Sequence, residues 1–135
     1  MENQLTILSE SLDKKLEVLQ KIREYNKRQE EIFSAEEVDM SLFDDAVEEK
    51  QRLIDEVVHL DEGFEIMYEK LAKELEGNRE RYAAQIRELQ KKVSRVTELS
   101  VTVQAQEARN KKLIENYFAK ERAGIGQRRK NAKSA

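Results

Sequence analysis

Not one proline interrupts this chain of 135 residues, and its apolar side chains return in steps of three and four along most of its length. Proline is the residue that breaks helices, and a three-four recurrence places apolar side chains on one face of a helix. With only 4 glycines as well, the chain lacks the turn residues that a sandwich or barrel of short strands demands. Ala, Glu, Lys, Leu and Arg supply 71 of the 135 residues, a bias typical of long helices and coiled coils. Leu, Ile, Val and Phe number 34, enough to bury a stripe on each helix but not a thick globular core. The expected fold is all-α: an elongated antiparallel bundle of three long helices with coiled-coil-like packing.

The first stripe is Leu5, Leu8, Leu12, Leu16, Leu19 and Ile22, followed by Tyr25, and predicts a helix over about residues 3–33. Residues 34–41 carry no period and read as a loop, with Ser41 as the expected N-cap of the next helix. The second stripe is Phe43, Val47, Ile54, Val57, Phe64, Tyr68, Leu71 and Leu75, with Lys50 and Asp61 standing in register as polar breaks. A second row, Ala46, Leu53, Leu60 and Met67, runs beside it, so this helix (about 42–76) presents a face wide enough for two partners. Gly77-Asn78 is the natural stop, whereas the period runs through Gly63 unshifted. The third stripe is Tyr82, Ile86, Leu89, Val93, Val96, Ser100, Val103, Glu107, Asn110, Ile114 and Tyr117, predicting a helix over about 79–122. Gly124 and Gly126 are expected to end it, leaving residues 123–135 as a basic flexible tail and residues 1–122 as the folded unit.

Charge is distributed unevenly along the chain. The formal net charge of −3 divides into −1 over residues 1–33, −11 over 34–77 and +9 over 78–135. Segments of opposite sign lying side by side would favour one arrangement of the bundle over others, the alternative being that they merely solvate two helix faces.

Chemistry is sparse. There is no Cys and a single His, which removes disulfides, thiolate metal sites and most histidine-dependent catalysis. Glu56-Val-Val-His59 has the spacing of a carboxylate–histidine metal motif but lacks the further ligands such a centre needs, so His59 reads as a solvated or hydrogen-bonded helix residue. Gly124-Ile125-Gly126 follows no strand and precedes no Gly-Lys-Ser, so it is not a phosphate loop. No nucleophile stands with a base, and no enzyme activity, cofactor or metal is expected. The basic C-terminal half lacks an aromatic platform for bases and would lie beside an acidic helix, so nucleic acid is not an expected partner. No apolar run is long enough to span a bilayer and no signal peptide is visible, so no membrane insertion is expected and a cytoplasmic location is the expectation.

The lengths point to a site. If the second turn sits at Gly77-Asn78, Leu42 lies opposite about residue 113, and the third helix overhangs the bundle beyond it. Leu113, Ile114, Tyr117 and Phe118 fall on that overhang. Four large apolar side chains there predict a docking site for a partner, with packing onto Phe33, Val38 and Met40, or pairing in a dimer, as the alternatives.

Two runs carry a family resemblance. Val47-Glu48-Glu49-Lys50-Gln51-Arg52-Leu53-Ile54, followed by Leu60-Asp61, and Gln106-Glu107-Ala108-Arg109-Asn110-Lys111-Lys112-Leu113-Ile114 together resemble the FlgN-type flagellar export chaperones. The resemblance extends over about residues 5–122, with Asn110, Leu113 and Ile114 as its sharper part. It implies a cytoplasmic chaperone that binds the C-terminal helical segment of flagellar hook-associated (junction) proteins, prevents their premature assembly and delivers them to the flagellar type III export gate. The implied partner-binding residues are Asn110, Leu113, Ile114, Tyr117, Phe118 and Ile125, with Tyr117 as the aromatic that would help docking at the gate. A monomer or weak homodimer is expected. The rival expectation is a coiled-coil structural or scaffold protein that dimerises through the same stripes.

Overall fold

A computed structural model describes the backbone of residues 2–134 and the side chains of residues 2–124. Three helices form the chain: α1 (Glu2–Ser34), α2 (Met40–Glu76) and α3 (Ala83–Ser134). Their 33, 37 and 52 residues correspond to about 50, 55 and 78 Å. Lys15 pairs with Asp61 and Phe33 meets Phe43, so α1 and α2 run antiparallel. Asp13 pairs with Lys92 and Phe33 meets Tyr117, so α3 returns parallel to α1. The all-α three-helix bundle expected from the stripes is the observed fold.

The helix ends follow local chemistry. Asp39, in extended backbone, accepts from the Ser41 and Leu42 amides at 3.0 and 3.2 Å. Asp39 rather than Ser41 is therefore the N-cap, and α2 begins two residues earlier than expected. Its carboxylate reaches the unpaired amides of the first turn and carries the charge that the helix dipole favours there. At the other end Gly77 and Asn78 stop α2, with the Asn78 side-chain amide donating to the Glu74 carbonyl at 3.1 Å. The turn occupies 77–82, so α3 starts at Ala83 instead of 79. Gly63 lies within α2 without breaking it.

The C-terminal boundary differs more. α3 continues through Gly124 and Gly126 to Ser134. One helical glycine costs only about 1 kcal/mol relative to alanine, and the surrounding Gln, Arg, Lys and Ala are good helix formers. The expected helix stop at the glycines is thus corrected. The side chains of the tail, Ile125 included, lie outside the described residues.

α1 is the central element. Its Leu12, Val18, Leu19 and Ile22 pack with Val96, Leu99 and Val103 of α3, while Leu53, Ile54, Val57, Leu60 and Phe64 of α2 close over the cluster. Each fully buried aliphatic side chain contributes about 1.5–3 kcal/mol of transfer free energy, so this stripe is the main source of cohesion. Among the described residues no Cα of α2 comes within 8 Å of one of α3. α2 thus receives one close partner where its wide apolar face suggested two. Only Ala46 and Leu71 of α2 are fully buried, and Leu42, Val58, Ile66 and Tyr68 remain exposed.

On α3 the buried line is Val96, Leu99, Val103, Gln106 and Asn110, with Tyr117 continuing it. The expected stripe shares Val96, Val103 and Asn110 with this line and departs from it at Ser100 and Glu107, each one residue past the buried Leu99 and Gln106, while Val93 is 44% exposed. The same three-four steps fit both rows. The true row contains Gln106, whose polarity hides it from a hydrophobic pattern.

Charge complementarity runs through α1 rather than directly between α2 and α3. Lys14 and Lys15 of α1 meet Glu56 and Asp61 of acidic α2, while Asp13 meets Lys92 of basic α3. The Lys15–Asp61 distance is 2.6 Å, which accounts for Asp61 standing in an apolar register.

Candidate partner-binding site

The site expected near the C-terminal end of α3 rests on a polar layer that crosses all three helices. Asn26 and Gln29 continue the apolar register of α1, and both are 1% exposed. They face Gln106 and Asn110 of α3 and Lys50 of α2. The Lys50 ammonium donates to Gln29 Oε1 at 3.0 Å, Asn26 Oδ1 at 3.3 Å and Glu107 Oε2 at 3.0 Å. Asn110 Nδ2 donates to the Asn26 carbonyl at 2.9 Å and to Gln29 Oε1 at 3.4 Å. Asn26 Nδ2 donates to Gln106 Oε1 at 3.4 Å, and Gln106 Nε2 to the Arg23 carbonyl at 3.4 Å. A buried network of this kind is favourable only when its members are satisfied, and here each amide and the ammonium finds a partner.

Asn110 is therefore placed differently from the expectation. It is 3% exposed and its amide is engaged by α1, so it holds the bundle together instead of facing a partner. Asn26, Gln29 and Gln106 were absent from the expected site. The signal for Asn26 and Gln29 lay in the first stripe, whose three-four steps run from Ile22 through both to Phe33.

Above this layer, an aromatic cluster closes the end of the bundle. The Phe33 and Phe43 rings meet edge to face at 4.8 Å, and Phe33 and Tyr117 at 5.4 Å. Tyr117 in turn meets Phe118 at 5.4 Å. Tyr117 is half-buried and folds onto Phe33, one of the alternatives open from the sequence. Its level with Phe33 sets the start of the overhang at Phe118, several residues later than residue 113. The parallel return of α3 along α1, after the longer turn at 77–82, shifts the alignment.

The described site residues then sort by position. Leu113 and Ile114 are half-buried beside the polar layer, and Ile114 lines a cleft with Lys50, Glu107 and Lys111. Phe118 is 43% exposed. Together with the outer edge of Tyr117 they form an apolar surface on α3 at the mouth of the bundle.

A second feature at the same end was not expected. A groove of about 540 Å³ lies between α1 and α2, floored by Tyr25, Ile32, Ala35, Leu42 and Ala46. Its rim carries Glu31, Glu37, Asp39, Asp45 and Glu49, with Arg28 as the one cation. The Arg28 guanidinium stacks over the Tyr25 ring at 5.0 Å. Leu42, 55% exposed, is the signal that sequence reasoning passed over: it stands four residues before Ala46 and heads the second apolar row of α2.

His59 is exposed, and Glu56 is directed to Lys14 at 3.9 Å. Among the described residues no three His, Cys, Asp or Glu side chains gather as a metal site, and no helix is long and apolar enough to cross a membrane. Comparison with protein-family models, curated proteins and solved structures finds no match to this chain.

Proposed function

We propose that this chain is a cytoplasmic export chaperone of FlgN type. In this reading it holds the C-terminal helical segment of flagellar hook-associated proteins and hands them to the flagellar type III export gate. The observation that carries the reading is the apolar surface of Leu113, Ile114 and Phe118 at the mouth of the bundle, the first two within the run that resembles the family. A partner helix laid along it would bury its own apolar stripe, the mode by which amphipathic helices are held in grooves. Asn110 is left out of the contact surface and serves to hold the α3 backbone against α1. Export requires release, so an affinity near micromolar, about −8 kcal/mol, suits the task.

Calorimetric titration of the full chain with the C-terminal segment of a hook-associated protein from the same organism tests this. The expected result is binding near micromolar that Ile114→Asp weakens at least about 10-fold, with the helical circular dichroism unchanged. No binding at about 100 µM would remove the chaperone reading.

The scaffold reading is favoured by one observation, the unbroken 52-residue α3 that outlasts its bundle. It requires an obligate coiled-coil dimer, which sedimentation of the dilute chain would reveal.

A further inference from the structure

α3 does not end where the bundle ends. The 17 residues from Phe118 to Ser134 continue as helix past the level of Phe33 and Phe43, about 25 Å beyond the aromatic cluster. Their sequence carries six Lys or Arg residues and one Glu, the most basic stretch of the chain. At the same end of the molecule lies the groove between α1 and α2, with its apolar floor and five carboxylates on the rim. Glu31, Glu37 and Asp45 of that rim form no salt bridge among the described residues.

The groove is longer than this one cavity. A second cavity, lined by Gln20, Glu24 and Leu53 among others, shares Tyr25, Arg28 and Glu49 with it. The two together follow α1 from Glu17 to Ala35, about 27 Å. A helical extension of about 25 Å matches that length.

The extension cannot reach the groove of its own molecule, because the continuous helix carries it away from α1 and α2. A second copy meeting the first end to end, with its direction reversed, brings each extension alongside the other's groove. We propose that two copies of this chain associate in this head-to-head way, each laying the basic extension of α3 into the acidic-rimmed groove of the other. The contact is isologous and closes after two copies. Its rim is charged and solvent-exposed, so the association is reversible and weakened by salt. It is tested apart from the chaperone reading: the two surfaces meet at Phe118, while Leu113 and Ile114 lie below the extension.

Sedimentation velocity of the full chain tests the proposal over about 1–200 µM protein, in about 0.05 M and about 0.5 M salt. The expected result is a dimer at low salt whose dissociation constant rises at least about 10-fold at high salt. Arg128→Glu with Arg129→Glu should shift the chain to monomer. Glu31→Lys with Asp45→Lys should do the same, and combining the four changes should restore the dimer. A monomer at every concentration in low salt overturns the proposal. So does a dimer indifferent to both pairs of charge reversals, which would place the contact on another face, or failure of the combined variant to recover association. Circular dichroism of each variant checks that the helices persist. None of these outcomes is read from the titration with a hook-associated segment, so the two ideas fail separately.

Discussion

Lys50 of α2 reaches Glu107 of α3 at 2.9 Å, and this ion pair spans the seam where the two helices do not closely approach. The lysine comes from the acidic helix and the glutamate from the basic one, the reverse of what the net charges of the two segments suggest. The same ammonium holds the Asn26 and Gln29 side-chain oxygens of α1. One side chain therefore fixes the relative level of all three helices. A sliding or rotated α2 would leave Lys50 against apolar neighbours, and a polar side chain at a core position is a well-attested device for specifying register.

Lys50→Met keeps most of the side-chain length and removes the ammonium. Asn26 Oδ1 then loses its donor and Gln29 Oε1 keeps only the longer bond from Asn110, against about 1–3 kcal/mol for an unsatisfied buried group. We expect a net loss of about 2 kcal/mol, measured as a lower urea midpoint at unchanged slope. Glu107→Gln should cost less, since the Glu107 side chain is 39% exposed and water can replace its interaction. Equal loss in the two variants would contradict the role given to the lysine.

The aromatic cluster predicts energetic coupling between the C-terminal end of α1 and α3. Phe33 and Tyr117 meet edge to face, a geometry worth about 0.5–1.5 kcal/mol beyond area burial. A double-mutant cycle of Phe33→Leu and Tyr117→Leu should return a coupling energy in that range. A value near zero would mean that α3 stands off from α1 at this level in solution.

Gly63 offers a stabilising change. It lies inside α2, is exposed, and a Cβ added there meets nothing within 4 Å. Gly63→Ala should raise stability by about 0.5–1 kcal/mol through helix propensity alone. The thermal midpoint should rise by a few degrees, with no change in partner binding.

The three helices were readable because helix formation is a local matter here. Leu5, Leu8, Leu12, Leu19 and Ile22 form a row that only a helix can align, and all five are buried. The stop at Gly77-Asn78 was equally local, since it depends on a side chain bonding its own last turn. The α2 cap was misread by two residues because Asp39 and Ser41 are both good caps and the choice lies in backbone geometry. The end of α3 was misread because a glycine marks a possible stop without enforcing one. Of the residues expected to meet a partner, Leu113, Ile114 and Phe118 keep accessible surface, while Asn110 does not. An asparagine among charged residues looks exposed until the amides opposite it on α1 are known.

Periodicity and composition were enough to establish helices, their number and three of their six limits to within a residue, because steps of three and four and the absence of proline act within a single turn of chain. Packing settled the rest. It made α1 the centre, chose the row through Leu99 and Gln106 over the row through Ser100 and Glu107, and turned Asn26, Gln29 and Asn110 into core residues. Neighbouring rows on a helix share the same period, so only a second helix laid against one of them can distinguish inside from outside. A polar side chain is admitted to that interior when partners on other helices satisfy it, and those partners lie 21 to 84 residues away in the chain.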